Sequence, residues 1–284
     1  LFFYEVEPGV AHRLTSGPEA EEEEDFSPDG RMVSFVRGND LYVLDLATQR
    51  ERALTAGGGP QLLNGILDWV YEEELYGRGE RRGYWWSPDS TRLAFLRLDE
   101  ARVKTFPVVD HIPRDQVLEN GPYPVAGAPN PSVSVGAVPA AGGEVNWLDL
   151  SGYDSSDLLV SRVAWSDDSK RVLYQAQNRE QTFLDLLASD PEGESATRLF
   201  REQTPAWAEV NDNPVWLRDG SFLWRTDRTG WAHIFHYAAD GKLIRQVTDG
   251  KWEARSLEGV DERAQAALLA QRRTDAQSSR RRAV

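Results

Sequence analysis

Three consecutive carboxylates, Glu72, Glu73 and Glu74, stand in the stretch Asp68-Trp-Val-Tyr-Glu-Glu-Glu-Leu-Tyr-Gly77. Asp68 can cap a helix, Val70, Tyr71 and Leu75 recur at helical spacing, acidic residues suit the early turns, and Gly77 ends the run, so the segment predicts a short helix. Neighbours on an α-helix are separated by about 100°, which lets two adjacent carboxylates splay around one cation held beside the helix. Crowded carboxylates repel, and a bound ammonium relieves that repulsion through charge-assisted hydrogen bonds. The chemistry on offer is the holding of an amine. The same pattern also describes a solvated acidic face with Trp69 and Tyr71 as core anchors, and on the pattern alone both readings stand. The acidic run from Glu21 to Asp25 precedes a strand, has no aromatic setting and reads as solvated.

Other chemistry is scarce. The chain has no cysteine, and its four histidines, His12, His111, His233 and His236, show neither HxxxH nor HExxH spacing. No metal and no cofactor is therefore expected. His233 and His236, three apart, would face opposite sides of a strand as ordinary polar positions. A triad built from either with a nearby Ser and Asp lacks the strained strand-to-helix turn that exposes a nucleophile. No Gly-x-Ser-x-Gly elbow occurs in the sequence, and no strand-and-helix alternation would build an α/β-hydrolase domain. With 46 acidic against 32 basic side chains the net charge is −14. Such a surface repels nucleic acid and anionic lipid and favours cationic ligands such as a free peptide amine. No apolar run is long enough to span a bilayer and no signal pattern opens the chain. The first residue is Leu and the single methionine is Met32, so the expectation is a processed N-terminus or a piece of a longer protein, with a periplasmic or secreted setting favoured.

The elements that must position the glutamates repeat along the chain. An aromatic, a short polar turn and an apolar strand recur as Phe26-Ser-Pro-Asp-Gly30, Trp86-Ser-Pro-Asp-Ser90, Trp165-Ser-Asp-Asp-Ser169 and Trp216-Leu-Arg-Asp-Gly220. Each is the chemistry of a tight hairpin turn, and a second hairpin follows in most copies. Four strands per unit make the blade of a β-propeller. The expected fold is all-β, a partial β-propeller of four-stranded antiparallel blades with a short inserted helix. The propeller portion should occupy 1–263 with about four to five blades, Leu1 to Leu14 supplying the last strands of a preceding one. The Pro/Gly-rich stretch 106–143 reads as an insertion. From 264 to 284 the composition shifts to Ala, Gln, Ser and Arg, which reads as a frayed tail in an altered frame. Unpaired strand edges at both ends would favour association with another copy, a possible homodimer.

Several ordered strings carry a resemblance. Asp68-Trp-Val-Tyr-Glu-Glu-Glu74, then Tyr84-Trp-Trp-Ser-Pro-Asp89, Tyr123-Pro-Val-Ala-Gly-Ala-Pro-Asn-Pro131, Gly230-Trp-Ala-His-Ile234 and Gly250-Lys-Trp-Glu253 resemble the propeller region of the dipeptidyl peptidase IV family. The resemblance runs to about Asp261. It implies that Glu73 and Glu74 bind the substrate's free α-amine and that a propeller arginine holds a substrate carbonyl. Arg37 is the candidate for that role, and a strand-end surface arginine is the alternative. It also implies a Ser/Asp/His triad on an α/β-hydrolase domain that this chain lacks. The implied function is the substrate-binding propeller of a serine exopeptidase releasing N-terminal dipeptides with Pro or Ala second. The partners are then peptide N-termini and the missing hydrolase domain. A catalytically silent peptide- or protein-binding propeller is the alternative, and a scaffold with solvated glutamates a third reading. Val125 departs from the family, which carries a basic residue in the Tyr-Pro-x-Ala-Gly string.

Overall fold

The computed structural model describes residues 1–193, 195–263, 266–273 and 282–283. The chain divides into two compact units, Leu1–Leu173 with Ser189–Ala196, and Tyr174–Ala188 with Thr197–Val284. Strands dominate, the sheets are antiparallel, and the only helix among the described residues is a single short one. No helix among them is long and apolar enough to cross a membrane.

In the first unit, Phe2–Glu5 and Val10–Arg13 form a hairpin of their own. The first blade orders Glu22–Phe26, Met32–Arg37, Asp40–Asp45 and Arg50–Ala53 side by side, as the hairpin pattern predicts. In the second blade, Leu62–Asn64 and Tyr84–Trp86 both pair with Arg92–Asp99, which pairs in turn with Ser132–Pro139 and that with Asn146–Trp147. The two short segments are halves of one interrupted strand. Asn64 lies opposite Arg97 and Tyr84 opposite Phe95, and the gap between them is closed by two glycines. Gly65 donates to the carbonyl of Leu96, Leu96 donates to that of Gly83, and Gly83 donates to that of Gly65. A Cβ on Gly83 would sit 3.0 Å from Leu67 and 3.2 Å from the Gly65 carbonyl carbon, and Gly65 has φ +79°. Only glycines let the chain leave and re-enter the strand at one register position. Everything between them, 66–82, is an excursion, and it carries the glutamates.

The stretch 106–143 is not one insertion. Thr105–Asp110 and Val117–Pro122 form a separate two-stranded ribbon with exposed Val108, Val109, Ile112 and Leu118, whereas Ser132–Pro139 is a largely buried blade strand. Its Val-x-Val alternation was hidden by the flanking prolines.

The first two blades share a core of Val36, Leu41, Val43, Ile66, Tyr84, Trp86, Leu93, Phe95 and Val138. Repeat aromatics also link one sheet to the next, because the buried indole N–H must find an acceptor. Trp86 donates to Ser34 Oγ at 2.8 Å, and Trp165 to the carbonyl of Trp85 at 3.0 Å.

The turns are linked as well. The backbone N–H of Asp29 donates to Ser90 Oγ at 3.0 Å, and that of Asp89 to Ser169 Oγ at 3.0 Å. Ser90 and Ser169 hold φ +63° and +60°, where Gly30 and Gly220 of the other two turns hold +70° and +80°. A non-glycine residue there is strained, and the hydroxyl bond to the preceding turn offsets the strain. Ser90→Ala should therefore lower the unfolding midpoint, losing about 1 kcal/mol of hydrogen bond while keeping the strain. Ser90→Gly should leave it near the parent value, and equal midpoints for the two variants would contradict the link.

A third sheet runs Leu158–Trp165, Val172–Asn178, Phe183–Ser189 and Ala196–Gln203. In the second unit, Val215–Trp216, Phe222–Thr226, His233–Tyr237 and Leu243–Gln246 make the fourth, followed by Trp252–Asp261, Ala266–Arg273 and Arg282–Ala283. Leu223, Ile234, Ala254 and Leu269 form one cluster there. Much of the expected frayed tail, 264–284, lies outside the described residues. Within them, Ala266–Arg273 pairs along the whole of Trp252–Asp261, because Ala, Leu and Leu at 267–269 supply a short apolar run.

Candidate functional site

The excursion folds back on its blade through its own apolar residues. Asp68 accepts from the backbone N–H of Val70 at 3.2 Å and Tyr71 at 3.1 Å, capping the helix as expected. One α-type bond, Glu72 N–H to the Asp68 carbonyl, opens it. A π-type bond, Gly77 N–H to the Glu72 carbonyl, closes it, so Tyr71–Tyr76 is a π turn. Gly77 at φ +121° ends the helix. Wider winding sets neighbouring residues closer around the axis than the expected ~100° of an α-helix, and such turns concentrate at functional sites.

Tyr71 and Leu75 pin this turn. Tyr71 is wholly buried, and its hydroxyl accepts from Val160 N–H at 3.3 Å. Arg162 donates to the Leu75 carbonyl at 2.7 Å, which places a cation at the helix C-terminus, and its guanidinium lies 5.2 Å from the centre of the Tyr76 ring. Tyr76 stacks on Trp85 at 5.8 Å. Trp69 is no core anchor: it is 37% exposed and packs against Tyr123 at 4.4 Å, with Phe106 a further 5.4 Å along. Three of the sequence strings noted above thus converge on one turn.

The three carboxylates differ in their surroundings. Glu72 accepts from Gly79 N–H at 3.3 Å and lies 3.8 Å from Arg81. Glu73 is 22% exposed and takes Arg78 Nε on both oxygens, at 3.2 and 2.9 Å. Glu74 is exposed. Arg81 also pairs with Glu22 at 2.8 Å. Glu22, Arg78 and Arg81 are parts of the site that sequence reasoning passed over. The run from Glu21 to Asp25 is accordingly not simply solvated: Glu21 lies 3.8 Å from Arg37, and Asp25 pairs with Arg82 at 2.7 Å.

Arg37 ends the strand Met32–Arg37, only 15% exposed, paired with Glu51, near Glu19 and Glu21, and 4.4 Å over the Tyr42 ring. It is a half-buried strand-end arginine facing three carboxylates. The chain order Glu21-Glu22 joins the two networks, since the first residue faces Arg37 and the second Arg81.

Asp68, at the helix cap, and Glu100, within reach of its charge, are both buried acids. Burial pushes Asp68 up to about 6 and Glu100 up to about 7, the Asp68 carboxylate adding to the effect on Glu100. Both values are raised above the ordinary 3.8 and 4.5, so their contribution to stability is complete below about pH 4 and is lost as pH rises through 6 and 7. Thermal unfolding should show a lower midpoint at pH 8 than at pH 5.5, with the difference reduced in Glu100→Gln. An unchanged slope in that variant would show that Glu100 is not the titrating group.

Ser221 Oγ lies 2.7 Å from His236 Nε2 and donates to Asp219 at 2.5 Å. Its proton is committed to the carboxylate, so the imidazole donates to the hydroxyl instead of activating it, and the turn is a hairpin between strands. His233 is buried against Thr248 and the Gly250 carbonyl. Among the described residues no group of three or more His, Asp or Glu side chains is placed to hold a metal ion.

The fold and its excursion define a class: a partial β-propeller in which one blade's edge strand is opened to present an acidic turn. The sequence matches the family described as Dipeptidyl peptidase IV (DPP IV) N-terminal region over residues 1–270, and the chain belongs to that family. It is 31% identical over 84% of its length to a probable dipeptidyl peptidase 4 of Aspergillus flavus, and 32% identical over 83% to dipeptidyl peptidase 4 of Trichophyton tonsurans. The chain spans about a third of these relatives, 33% and 32%. The crystal structure of Porphyromonas gingivalis dipeptidyl peptidase 4 superposes with a TM-score of 0.84 at 26% identity, over 95% of this chain and 38% of that one. The match to that propeller-bearing protein accords with a partial propeller of four-stranded antiparallel sheets.

Proposed function

We propose that this region is the amine-recognising part of a serine exopeptidase that releases N-terminal dipeptides with Pro or Ala second. The observation that carries the reading is the π turn Tyr71–Tyr76, anchored by Tyr71 and Leu75, which carries the half-buried Glu73 next to the exposed Glu74. An ammonium held by both carboxylates fixes the chain end, so only the bond two residues inward reaches a nucleophile at a set distance. In the same reading Arg37 offers its guanidinium to a substrate carbonyl, sharing that group with Glu51. Cleavage is the work of a Ser/Asp/His triad on an α/β-hydrolase domain outside this region. The test is dependence on a free amine. Hydrolysis of a Gly-Pro chromogenic substrate by the protein carrying both regions should be abolished when the substrate's amine is acetylated. Equal turnover of the acetylated substrate would end the proposal.

A further inference from the structure

We infer that Arg78 is a built-in stand-in for the ligand's ammonium, occupying Glu73 while the site is empty and yielding it when an amine arrives. The inference rests on the amine-clamp reading above and adds a device to it.

The geometry is asymmetric. Glu73 is 22% exposed on an anchored turn, while Arg78, which donates Nε to both its oxygens, is 84% exposed. The carboxylate is the fixed partner and the guanidinium the loose one. Arg78 sits between Gly77 at φ +121° and Gly79 at φ +91°, a backbone with more freedom to reorient than any other residue pair would allow. Glu73 is its only ion-pair partner among those the structure shows for it.

Three adjacent carboxylates repel one another, and the neighbouring arginines balance them unequally. Arg81 faces Glu72 and Arg78 holds Glu73, while Glu74 is left to solvent. An incoming ammonium that merely replaced Arg78 on Glu73 would exchange one cation for another and gain little. Net gain comes from reaching Glu74 at the same time. Arg78 therefore keeps the cluster ordered when empty and discriminates against cations that can touch only one carboxylate. A pair this exposed is weak, so the ligand can displace it.

The experiment uses the 284-residue chain and two probes, glycyl-proline amide and its N-acetyl counterpart, titrated by calorimetry or NMR into the parent and into Arg78→Gln, Arg78→Lys, Glu73→Gln and Glu74→Gln. Removing the stand-in should tighten binding of the free-amine probe roughly two- to five-fold, the range an exposed ion pair can supply. The acetylated probe should be unaffected, and lysine should restore the parent affinity. Equal or weaker binding of the free amine by Arg78→Gln overturns the inference. If Glu73→Gln and Glu74→Gln still lose the free-amine preference in that case, the clamp survives without the stand-in. If the parent shows no free-amine preference, both readings fall together.

Discussion

On the reading proposed above, Glu73→Gln or Glu74→Gln in the full-length protein is expected to lower kcat/KM for a free-amine dipeptide substrate by roughly 30-fold or more, the ~2 kcal/mol lower bound for breaking a charge pair that the bound substrate desolvates. Glutamine keeps the volume and removes the charge. Neither side chain is in the core, Glu73 being 22% exposed and Glu74 at the surface, so the fold should survive and the loss can be assigned to recognition. In that reading amine binding is remote from the scissile bond and its energy serves to place that bond, so kcat should fall as well as KM rise. Steady-state kinetics on both variants decide the matter: kcat/KM within about three-fold of the parent in each would leave the glutamates as a solvated face.

The second large effect is structural. Tyr71→Ala removes a wholly buried ring that joins the excursion to the strand Leu158–Trp165, and the cavity should cost about 3–5 kcal/mol. Tyr71→Phe keeps the ring and loses only the acceptor for Val160 N–H, so about 1 kcal/mol is expected. Because the excursion enters and leaves through Gly65 and Gly83, it can detach while the blade beneath it stays paired. Amide hydrogen exchange is therefore the sharper measurement than global unfolding. Amides at 71–77 should lose protection in Tyr71→Ala while those of Arg92–Asp99 keep theirs. Uniform loss across both would mean that the ring supports the blade and not the excursion alone.

The parts legible in the sequence are those written in local chemistry. The hairpin turns at Ser27, Ser87 and Ser166 state their own geometry, and the cap at Asp68, the buried Tyr71 and Leu75 and the stop at Gly77 all lie within ten residues of one another. The parts that escaped reading depend on distant partners. That Leu62–Asn64 and Tyr84–Trp86 are one strand is visible only in their common pairing with Arg92–Asp99. Asp25 meets Arg82 and Glu22 meets Arg81 across a separation no local pattern records, which is why that acidic run read as bare surface. The π turn was unreadable because nothing in Tyr-Glu-Glu-Glu-Leu-Tyr separates it from an α turn. Family resemblance pointed to Glu73 and Glu74, yet it was silent on Arg78, which enters through its single contact with Glu73.

The serines of the turns reach backward only: Ser90 to the turn at Asp29, Ser169 to the turn at Asp89. The links have a direction, and the two serine repeats are written for their predecessors. Tandem duplication works under that grammar. A copied Ser-type unit arrives with a hydroxyl that can accept from the turn N–H of its upstream neighbour, and can extend the row. A copied Gly30-type unit has nothing to offer upstream and can only begin one. The choice between serine and glycine at one turn position thus sets where such a protein can grow.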